Sequence, residues 1–331
     1  MDDLIARLPK AELHLHLEGT VGAEALWRLA QRHASPLCHE GREAVDSLYA
    51  TASFGDFLQA FKTICQHLRD PEDYEAITYD ALRKLAEQHV LYAEITLSAG
   101  VILWKGEELE ASFSGVEEGA RRARDEFGIR VQWIFDAVRQ FGPEAAMEVA
   151  RRAAALQDRG VVAFGIGGDE RKVPAELFRE VFAYARGEGL RLTVHAGETA
   201  GPESVWGAIE LLGAERIGHG LTAAQDSRLI EYLAANQIPL EVCLTSNLRT
   251  GCLAELEQHP LPQLLERGVA ISLNSDDPAL FGTDLCREYR LAQRAFGLSD
   301  QQLRALARTS FVTAFLSEEE RNSYLAALEA F

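Results

Sequence analysis

The sequence predicts a (β/α)8 (TIM) barrel with a helical insertion after the first strand. Eight short apolar runs, rich in β-branched residues, alternate with helical stretches along the chain. Several runs are almost continuously apolar, which is typical of parallel strands buried on both faces. The runs cover residues 11–17, 90–97, 129–136, 161–166, 190–195, 216–219, 238–244 and 269–273. The length of 331 residues suits one such barrel, which uses about 250 residues before insertions.

The segments between the runs carry helix signals. Residues 143–157 and 174–187 open with proline, and residues 203–212 and 224–236 place apolar residues at helical spacing. An open, doubly wound sheet is the alternative architecture. Its phosphate loops are missing, because the glycine cluster at 165–168 lacks the third glycine and no GxxxxGK[ST] motif occurs. The barrel is therefore favoured.

About 70 residues separate the first two runs, and they contain helical patterns at 22–34, 56–68 and 71–88. An insertion at this point of a barrel lies over the carboxyl ends of the strands, where barrel enzymes carry out their chemistry. We expect one domain over residues 1–331, with an excursion over the barrel mouth at about 19–89. The excursion is a candidate lid or substrate wall. Residues 284–331 are expected to form helices around the outside.

Composition and charge narrow the class of protein. Hydrophobic residues make up 47% of the chain and charged residues 25%, which is ordinary for a globular protein. Lys and Arg total 33 against 51 Asp and Glu, a net charge of −18 that disfavours nucleic acid and anionic membranes as partners. Five scattered cysteines without a CxxC pair, and an acidic start in place of a basic signal region, predict a cytoplasmic protein.

Candidate catalytic residues follow four of the predicted strands. His14 and His16 end the first run, and side chains two residues apart in a strand point to the same face. The motifs after the other three strands are His195 with Glu198, His219, and Asp276 with Asp277. Each motif alone has an ordinary explanation, such as a turn or a helix cap, but together they meet at one end of a barrel.

Three histidines and one aspartate form a suitable ligand set for Zn²⁺ or a similar divalent cation. A bound zinc ion lowers the pKa of water from 15.7 to about 7, which supplies a nucleophile at neutral pH. The remaining histidine and carboxyl groups are then available to move protons and to orient the reactants. The fourth run ends without a lysine that could bridge two ions, which favours a single metal.

Five motifs in order give the chain its resemblance to the adenosine/adenine deaminase family of the amidohydrolase superfamily, including its 6-aminodeoxyfutalosine deaminase branch. They are AELHLHLEG at 11–19, GGDE at 167–170, HAGE at 195–198, IGHG at 217–220 and SLNSDDP at 272–278. The resemblance implies zinc-dependent hydrolytic deamination at C6 of a 6-aminopurine. It implies one Zn²⁺ per chain, held by His14, His16, His195 and Asp276.

The same resemblance assigns roles to the remaining motif residues. It implies that Glu198 protonates the purine nitrogen N1 and that His219 orients or deprotonates the attacking water. Asp277 is expected near N7, and the backbone N–H of Gly168 near N3. His16, besides binding the metal, also faces the substrate.

The resemblance implies that the substrate is a small purine compound. Two residues give information about which purine it is. Glu18 stands where typical adenosine deaminases have an aspartate that bonds the ribose 5′-hydroxyl, so it suggests a different substrate wall. Arg249 is either a partner for an anionic 5′ substituent or a loop arginine paired with surface carboxylates. Adenosine and 6-aminodeoxyfutalosine, an intermediate of menaquinone biosynthesis, lead over free adenine. Amide or ester hydrolysis and a non-catalytic purine-binding role are the rival functions.

Overall fold

The computed structural model describes residues 4–50 and 53–331, and it confirms the predicted barrel. Eight parallel strands neighbour one another in sequence order. They are β1 (Lys10–His16), β2 (Val90–Leu97), β3 (Arg130–Val138), β4 (Val161–Gly167), β5 (Arg191–Ala196), β6 (Arg216–His219), β7 (Leu240–Val242) and β8 (Ile271–Leu273). Consecutive parallel strands joined by helices give the (β/α)8 arrangement.

The barrel closes between its last and first strands, at the residues that carry the candidate ligands. The backbone N–H of His16 donates to the Asp276 carbonyl at 2.9 Å, and the Asp276 N–H donates to the His14 carbonyl at 3.0 Å. The Asn274 side chain accepts from the Leu13 N–H at 3.0 Å just below them. Closure of the sheet therefore brings Asp276 against both histidines of β1, 260 or more positions away in the sequence.

Five helices fill the connection between β1 and β2. Helices are predicted at 22–34, 56–68 and 71–88, and the structure has them within three residues at each end. Two further short helices, at Leu37–Glu40 and Arg42–Leu48, were not predicted. Residues 51–52 lie outside the described part of the chain. The helices are α2 (Ala23–Arg32), α3 (Leu37–Glu40), α4 (Arg42–Leu48), α5 (Phe54–His67) and α6 (Pro71–Glu87), after a short α1 (Leu4–Arg7).

The remaining helices connect the other strands and follow β8. They are α7 (Ala99–Trp104), α8 (Leu109–Phe127), α9 (Gly142–Ala155), α10 (Arg179–Gly187), α11 (Pro202–Glu210), α12 (Ser227–Asn236), α13 (Leu244–Arg249), α14 (Leu261–Glu266), α15 (Pro278–Phe281), α16 (Leu285–Phe296), α17 (Asp300–Thr313) and α18 (Glu318–Glu329). Across residues 4–50 and 53–331, none of the helices combines the length and apolar character needed to cross a bilayer.

The seventh strand is shorter than predicted. The apolar run 238–244 contains only three strand residues, Leu240–Val242. Pro239 lacks a backbone N–H and cannot extend the ladder as a donor. At the other end, the Asn247 N–H donates to the Cys243 carbonyl at 3.1 Å, so the chain turns into α13 directly after β7.

Helices α6 and α8 pack closely on the outside of the barrel, and glycines in α8 permit the contact. A Cβ on Gly115 would lie 1.9 Å from the Pro71 carbonyl oxygen, and one on Gly119 would lie 2.5 Å from the Glu75 carbonyl oxygen. Both positions exclude any side chain at this separation of the two helices. The contact fixes the last helix of the insertion against the barrel wall.

Candidate active site

A cavity of about 370 Å³ opens at the carboxyl ends of the strands. His16, His195, Glu198, His219, Asp276 and Asp277 line its inner end. Helices α5 and α7 contribute its outer wall. Barrel enzymes place their active sites at this face, because residues from different strands converge there. The cavity is therefore the candidate active site.

The four predicted metal ligands converge at the inner end of the cavity. Ligand atoms of His14, His16, His195 and Asp276 all lie within 4.8 Å of one another. The Asp276 Oδ1 atom is 3.4 Å from Nε2 of His14 and 3.4 Å from Nε2 of His16, and the Nε2 atoms of His16 and His195 are 3.2 Å apart. Two ligands each about 2.0–2.1 Å from one zinc ion at a tetrahedral angle are separated by roughly 3.3–3.4 Å, so the set fits that ion.

Buried hydrogen-bond partners direct the ligand nitrogens toward this point. His14 Nδ1 donates to Glu241 Oε2 at 2.8 Å, while His14 Nε2 is buried without a hydrogen-bond partner among the described residues. His195 Nδ1 lies 3.3 Å from the Ile166 carbonyl oxygen, which can only accept, so Nε2 keeps its lone pair. Unpartnered buried nitrogens are costly unless something binds them, and a cation at this position satisfies them.

Glu241 is itself held in the barrel interior. Its Oε1 atom accepts from Arg216 Nε at 2.6 Å, and Arg216 Nη1 lies 2.5 Å from Glu94 Oε2. Burial raises the pKa of Glu241, but the charges of Arg216 and His14 outweigh burial and hold that pKa below its ordinary value. The carboxylate is therefore ionised and keeps His14 in the tautomer that a metal requires.

The loop after β5 presents Glu198 to the cavity, and Glu170 holds that loop. The Glu170 carboxylate accepts from the backbone N–H groups of Gly197, Glu198, Thr199 and Ala200, at 2.8, 2.8, 2.5 and 2.9 Å respectively. The Ser204 hydroxyl donates to the same carboxylate at 2.5 Å. Five donors within 2.9 Å of one buried carboxylate fix the backbone at the end of the HAGE motif and just after it.

Glu198 has the electrostatic character of an acid at neutral pH. Burial, with additional repulsion from Asp276 and Glu170, raises its pKa to about 8. Its Oε1 atom lies 3.9 Å from His219 Nε2. A carboxyl group kept protonated beside a metal cluster is suited to give a proton to a ring nitrogen.

Asp277 and Gly168 also lie on the cavity, as predicted. Burial and the adjacent Asp276 raise the pKa of Asp277 well above its ordinary value, and its Oδ1 atom has no hydrogen-bond partner in the described part of the chain. A Cβ on Gly19 would lie 2.0 Å from that oxygen, so the glycine leaves room for the carboxyl. Gly168 has φ of +103°, which glycine adopts without strain.

Neither Glu18 nor Arg249 is among the described residues that line the cavity, although the buried Glu18 carboxyl is close enough to Asp136 and Asp277 to raise the pKa of both. The Glu18 Oε1 atom accepts from the Ser98 N–H at 3.0 Å, and burial raises the pKa of this carboxyl to about 7. Arg249 Nη2 donates to the Tyr49 carbonyl at 3.5 Å. Both side chains thus connect segments of the insertion and the barrel.

Sequence reasoning missed several residues that line the cavity. Asp136 on β3 is buried and lines the cavity. Its Oδ1 atom has no hydrogen-bond partner among the described residues, and burial raises the pKa of its carboxyl to about 8. It faces Gly165 across the β3–β4 ladder. Its position as the last residue of a predicted strand was the available signal. The excursion was predicted as a candidate substrate wall, but the individual residues of the apolar outer wall were not. They are Phe54, Phe57, Phe61, Val101, Trp104 and Phe141, together with Lys62.

The parallel barrel, the His/Asp cluster and the buried acid beside it define a metal-dependent enzyme of the amidohydrolase type. The sequence pattern of the family described as adenosine deaminase matches residues 9–330. The chain belongs to this family and is a metal-dependent deaminase.

Individual relatives extend over nearly the whole chain. The aminodeoxyfutalosine deaminase of Streptomyces avermitilis is 38% identical over 333 residues, which cover 100% of this chain and 93% of that protein. The adenine deaminase structure from Arthrobacter aurescens has a TM-score of 0.93 at 29% identity, covering 98% of each chain. An amidohydrolase structure from Burkholderia ambifaria with bound Zn has a TM-score of 0.89 at 27% identity, covering 98% of this chain and 90% of that one.

Proposed function

We propose that this protein binds one zinc ion and hydrolytically deaminates an adenosine-type nucleoside with an enlarged, anionic 5′ substituent, of which aminodeoxyfutalosine is the leading candidate. Deamination of adenine- or adenosine-type substrates follows from the family and from its relatives. The single observation that supports the enlarged substituent is the apolar outer part of the cavity, which continues beyond the inner polar groups.

The inner residues account for the reaction at C6. His14, His16, His195 and Asp276 would hold the zinc ion, which when bound supplies an activated water at neutral pH. Glu198 gives its proton to N1 of the purine and so makes C6 electrophilic. The water oxygen bonds to C6 and the bond from C6 to the amino nitrogen breaks. One water proton goes to the departing amino group, which leaves as ammonia, and the other restores the Glu198 acid, so the ring gains an oxygen and loses a nitrogen. The Gly168 N–H and Asp277 orient the ring by hydrogen bonds at N3 and N7.

The outer part of the cavity matches a flat apolar group. Trp104 and Phe141 stack with their ring centroids 5.4 Å apart and their planes at 12°, and Phe57 and Phe61 face the same space from α5. The Trp104 side chain is 59% exposed, which leaves much of a large apolar surface facing solvent. Burial of aromatic surface by a substrate is favourable, so this wall supports a substituent larger than a sugar hydroxyl.

Lys62 is the better partner for an anionic group on that substituent. It is the one Lys or Arg among the described residues that line the cavity, and it makes no ion pair with any described residue. Arg249 instead binds the Tyr49 carbonyl outside the lining. We therefore assign to Lys62 the role that the sequence suggested for Arg249.

The experiment is ammonia release by the zinc-loaded protein from equal concentrations of aminodeoxyfutalosine, adenosine, adenosine monophosphate and adenine. The proposal predicts the highest kcat/KM for aminodeoxyfutalosine. A preference for adenine or unmodified adenosine would contradict the enlarged substituent but keep the deaminase. No ammonia from any of the four would contradict the catalytic proposal.

A matched pair of variants tests the assignment of the cation. Lys62→Ala is expected to raise KM for the anionic substrate roughly two- to fivefold with little change for adenosine, because it removes one exposed charge contact. Arg249→Ala is the control and is expected to leave the ratio of the two substrates unchanged. The reverse pattern would return the role to Arg249.

A further inference from the structure

A chain of four hydrogen-bonding groups runs from the backbone to His219. The Leu261 N–H donates to His259 Nδ1 at 3.0 Å, and His259 Nε2 lies 3.3 Å from Asn247 Oδ1. Asn247 Nδ2 in turn lies 3.3 Å from His219 Nδ1. We propose that Asn247 and His259 are positioning residues that fix His219 in the tautomer with its proton on Nε2.

The direction of the chain follows from its first member. A backbone N–H can only donate, so His259 Nδ1 must accept and a neutral His259 carries its proton on Nε2. That N–H donates to the Asn247 carbonyl oxygen, which leaves the Asn247 amide to donate from its nitrogen. His219 Nδ1 therefore accepts, and the single proton of neutral His219 lies on Nε2.

The surroundings keep the chain intact. Asn247 is 1% exposed and His259 is 4% exposed, so water does not compete for their hydrogen bonds. Burial lowers the pKa of His259 to about 4, which keeps it neutral and able to accept from Leu261. Asn247 lies in α13 and His259 lies just before α14, so two separate elements hold the two side chains of the His259–Asn247 hydrogen bond.

The consequence falls on the side of His219 that faces the cavity. Its Nε2 atom is 3.8 Å from Asp276 Oδ2 and 3.9 Å from Glu198 Oε1. An N–H at this position can donate to an oxygen in the site, whereas it has no lone pair with which to take a proton. Given the proposed deamination, His219 orients the oxygen that adds to C6 and stabilises it, and it is not the base that deprotonates it.

The test combines tautomer measurement with kinetics on the zinc-loaded protein. Nitrogen-15 histidine NMR distinguishes a protonated from an unprotonated ring nitrogen, and a His219→Gln variant assigns the His219 signals. We expect His219 to be protonated on Nε2 alone in the wild type. A His219 proton on Nδ1 would overturn the proposal even if no substrate were turned over, so this result is independent of the proposed function.

Two variants test whether this hydrogen-bond relay, formed by Leu261, His259, Asn247 and His219, sets the His219 tautomer or has only a structural role. Asn247→Asp places an acceptor at both ends, so it should move a proton to His219 Nδ1 and lower kcat by roughly 10²–10⁴-fold with zinc retained. His259→Gln can still accept from Leu261 and donate to Asn247, so it should keep the His219 tautomer and most of kcat. Asn236→Asp, at an exposed position, is the control.

The outcomes divide clearly. An unchanged His219 tautomer in Asn247→Asp, or equal losses of kcat in the two relay variants with the wild-type tautomer in both, would overturn the proposal. If Asn247→Asp did not fold, the wild-type spectrum and the His259→Gln variant would decide, because a retained Nε2 proton with retained kcat supports the relay. Loss of that proton in His259→Gln would overturn it.

Discussion

The carboxylate of Glu241 lies 2.8 Å from Nδ1 of His14, and the partner nitrogen Nε2 of the same ring faces the candidate metal site. The buried negative charge of Glu241 therefore orients the His14 ring so that Nε2 can bind a metal. Arg216 compensates the charge from the other side of Glu241. We therefore expect the affinity for a metal at this site to depend on residues that never touch the ion.

Replacement of Glu241 by Gln is expected to weaken zinc binding by about 10–100-fold, the usual effect of losing such a partner. Competition with a chromogenic chelator measures the affinity. Glu257→Gln, an exposed glutamate, is the control and should bind zinc like the wild type. Wild-type affinity in Glu241→Gln would show that His14 needs no such partner.

Replacement of Glu198 by Gln removes the acid without changing the shape of the side chain. We expect kcat to fall by about 10²–10⁴-fold while zinc content stays at the wild-type level. Steady-state kinetics and metal analysis on the same sample measure both quantities. Near-normal turnover would exclude Glu198 as the proton donor.

The pH dependence of kcat/KM provides a second test of the same acid. Because the pKa of Glu198 is raised to about 8, its protonated form predominates at neutral pH and is lost as the pH rises through about 8. The rate should therefore fall tenfold per unit on the alkaline side, and Glu198→Gln should lack this limb. A descending limb that persists in the variant would belong to another group.

Glu170 holds the loop that carries Glu198, so Glu170→Gln should act on both stability and rate. The amide offers one acceptor oxygen where the carboxylate serves five donors, which should cost about 1–3 kcal/mol of unfolding free energy. Displacement of Glu198 should lower kcat by roughly 10–100-fold. Chemical denaturation and kinetics check this against the exposed control Glu188→Gln, for which neither quantity should change.

The contact between α6 and α8 predicts that a glycine in it cannot be replaced by alanine without loss of stability, whereas a glycine outside it can. Gly115→Ala should destabilise the fold by about 1–3 kcal/mol, since its Cβ would lie 1.9 Å from a backbone oxygen. Gly187→Ala, at the end of α10 with nothing within 4 Å of its Cβ, should be neutral or slightly stabilising. Equal stabilities of the two variants would show that the helices can separate without cost.

The barrel and the inner site could be predicted because their signals are local. Apolar runs marked the strands, and the two-residue spacing of His14 and His16 put both rings on one face. The strand ends then brought Asp276 to them. The lengths of β7 and β8 were wrong, since each predicted run contains only three strand residues. At β7 the reason is Pro239 and the turn into α13.

The supporting residues could not be predicted, because their partners are distant in the sequence. Glu241 lies 227 positions from His14, and no local pattern marks a glutamate in a short buried strand as its partner. His259 falls in a loop, and no sequence pattern connects it to Asn247, which only the fold places against it. Likewise, no signal in the sequence indicated that Lys62 lines the cavity, because the packing of α5 over the cavity decides which cation lies there.

Zinc titration of metal-stripped protein, with ammonia release from aminodeoxyfutalosine as the signal, tests the central claim most directly. The account predicts no turnover without metal and a linear return of activity that saturates at one zinc ion per chain. Saturation at two ions per chain, or full activity in the metal-free protein, would contradict it.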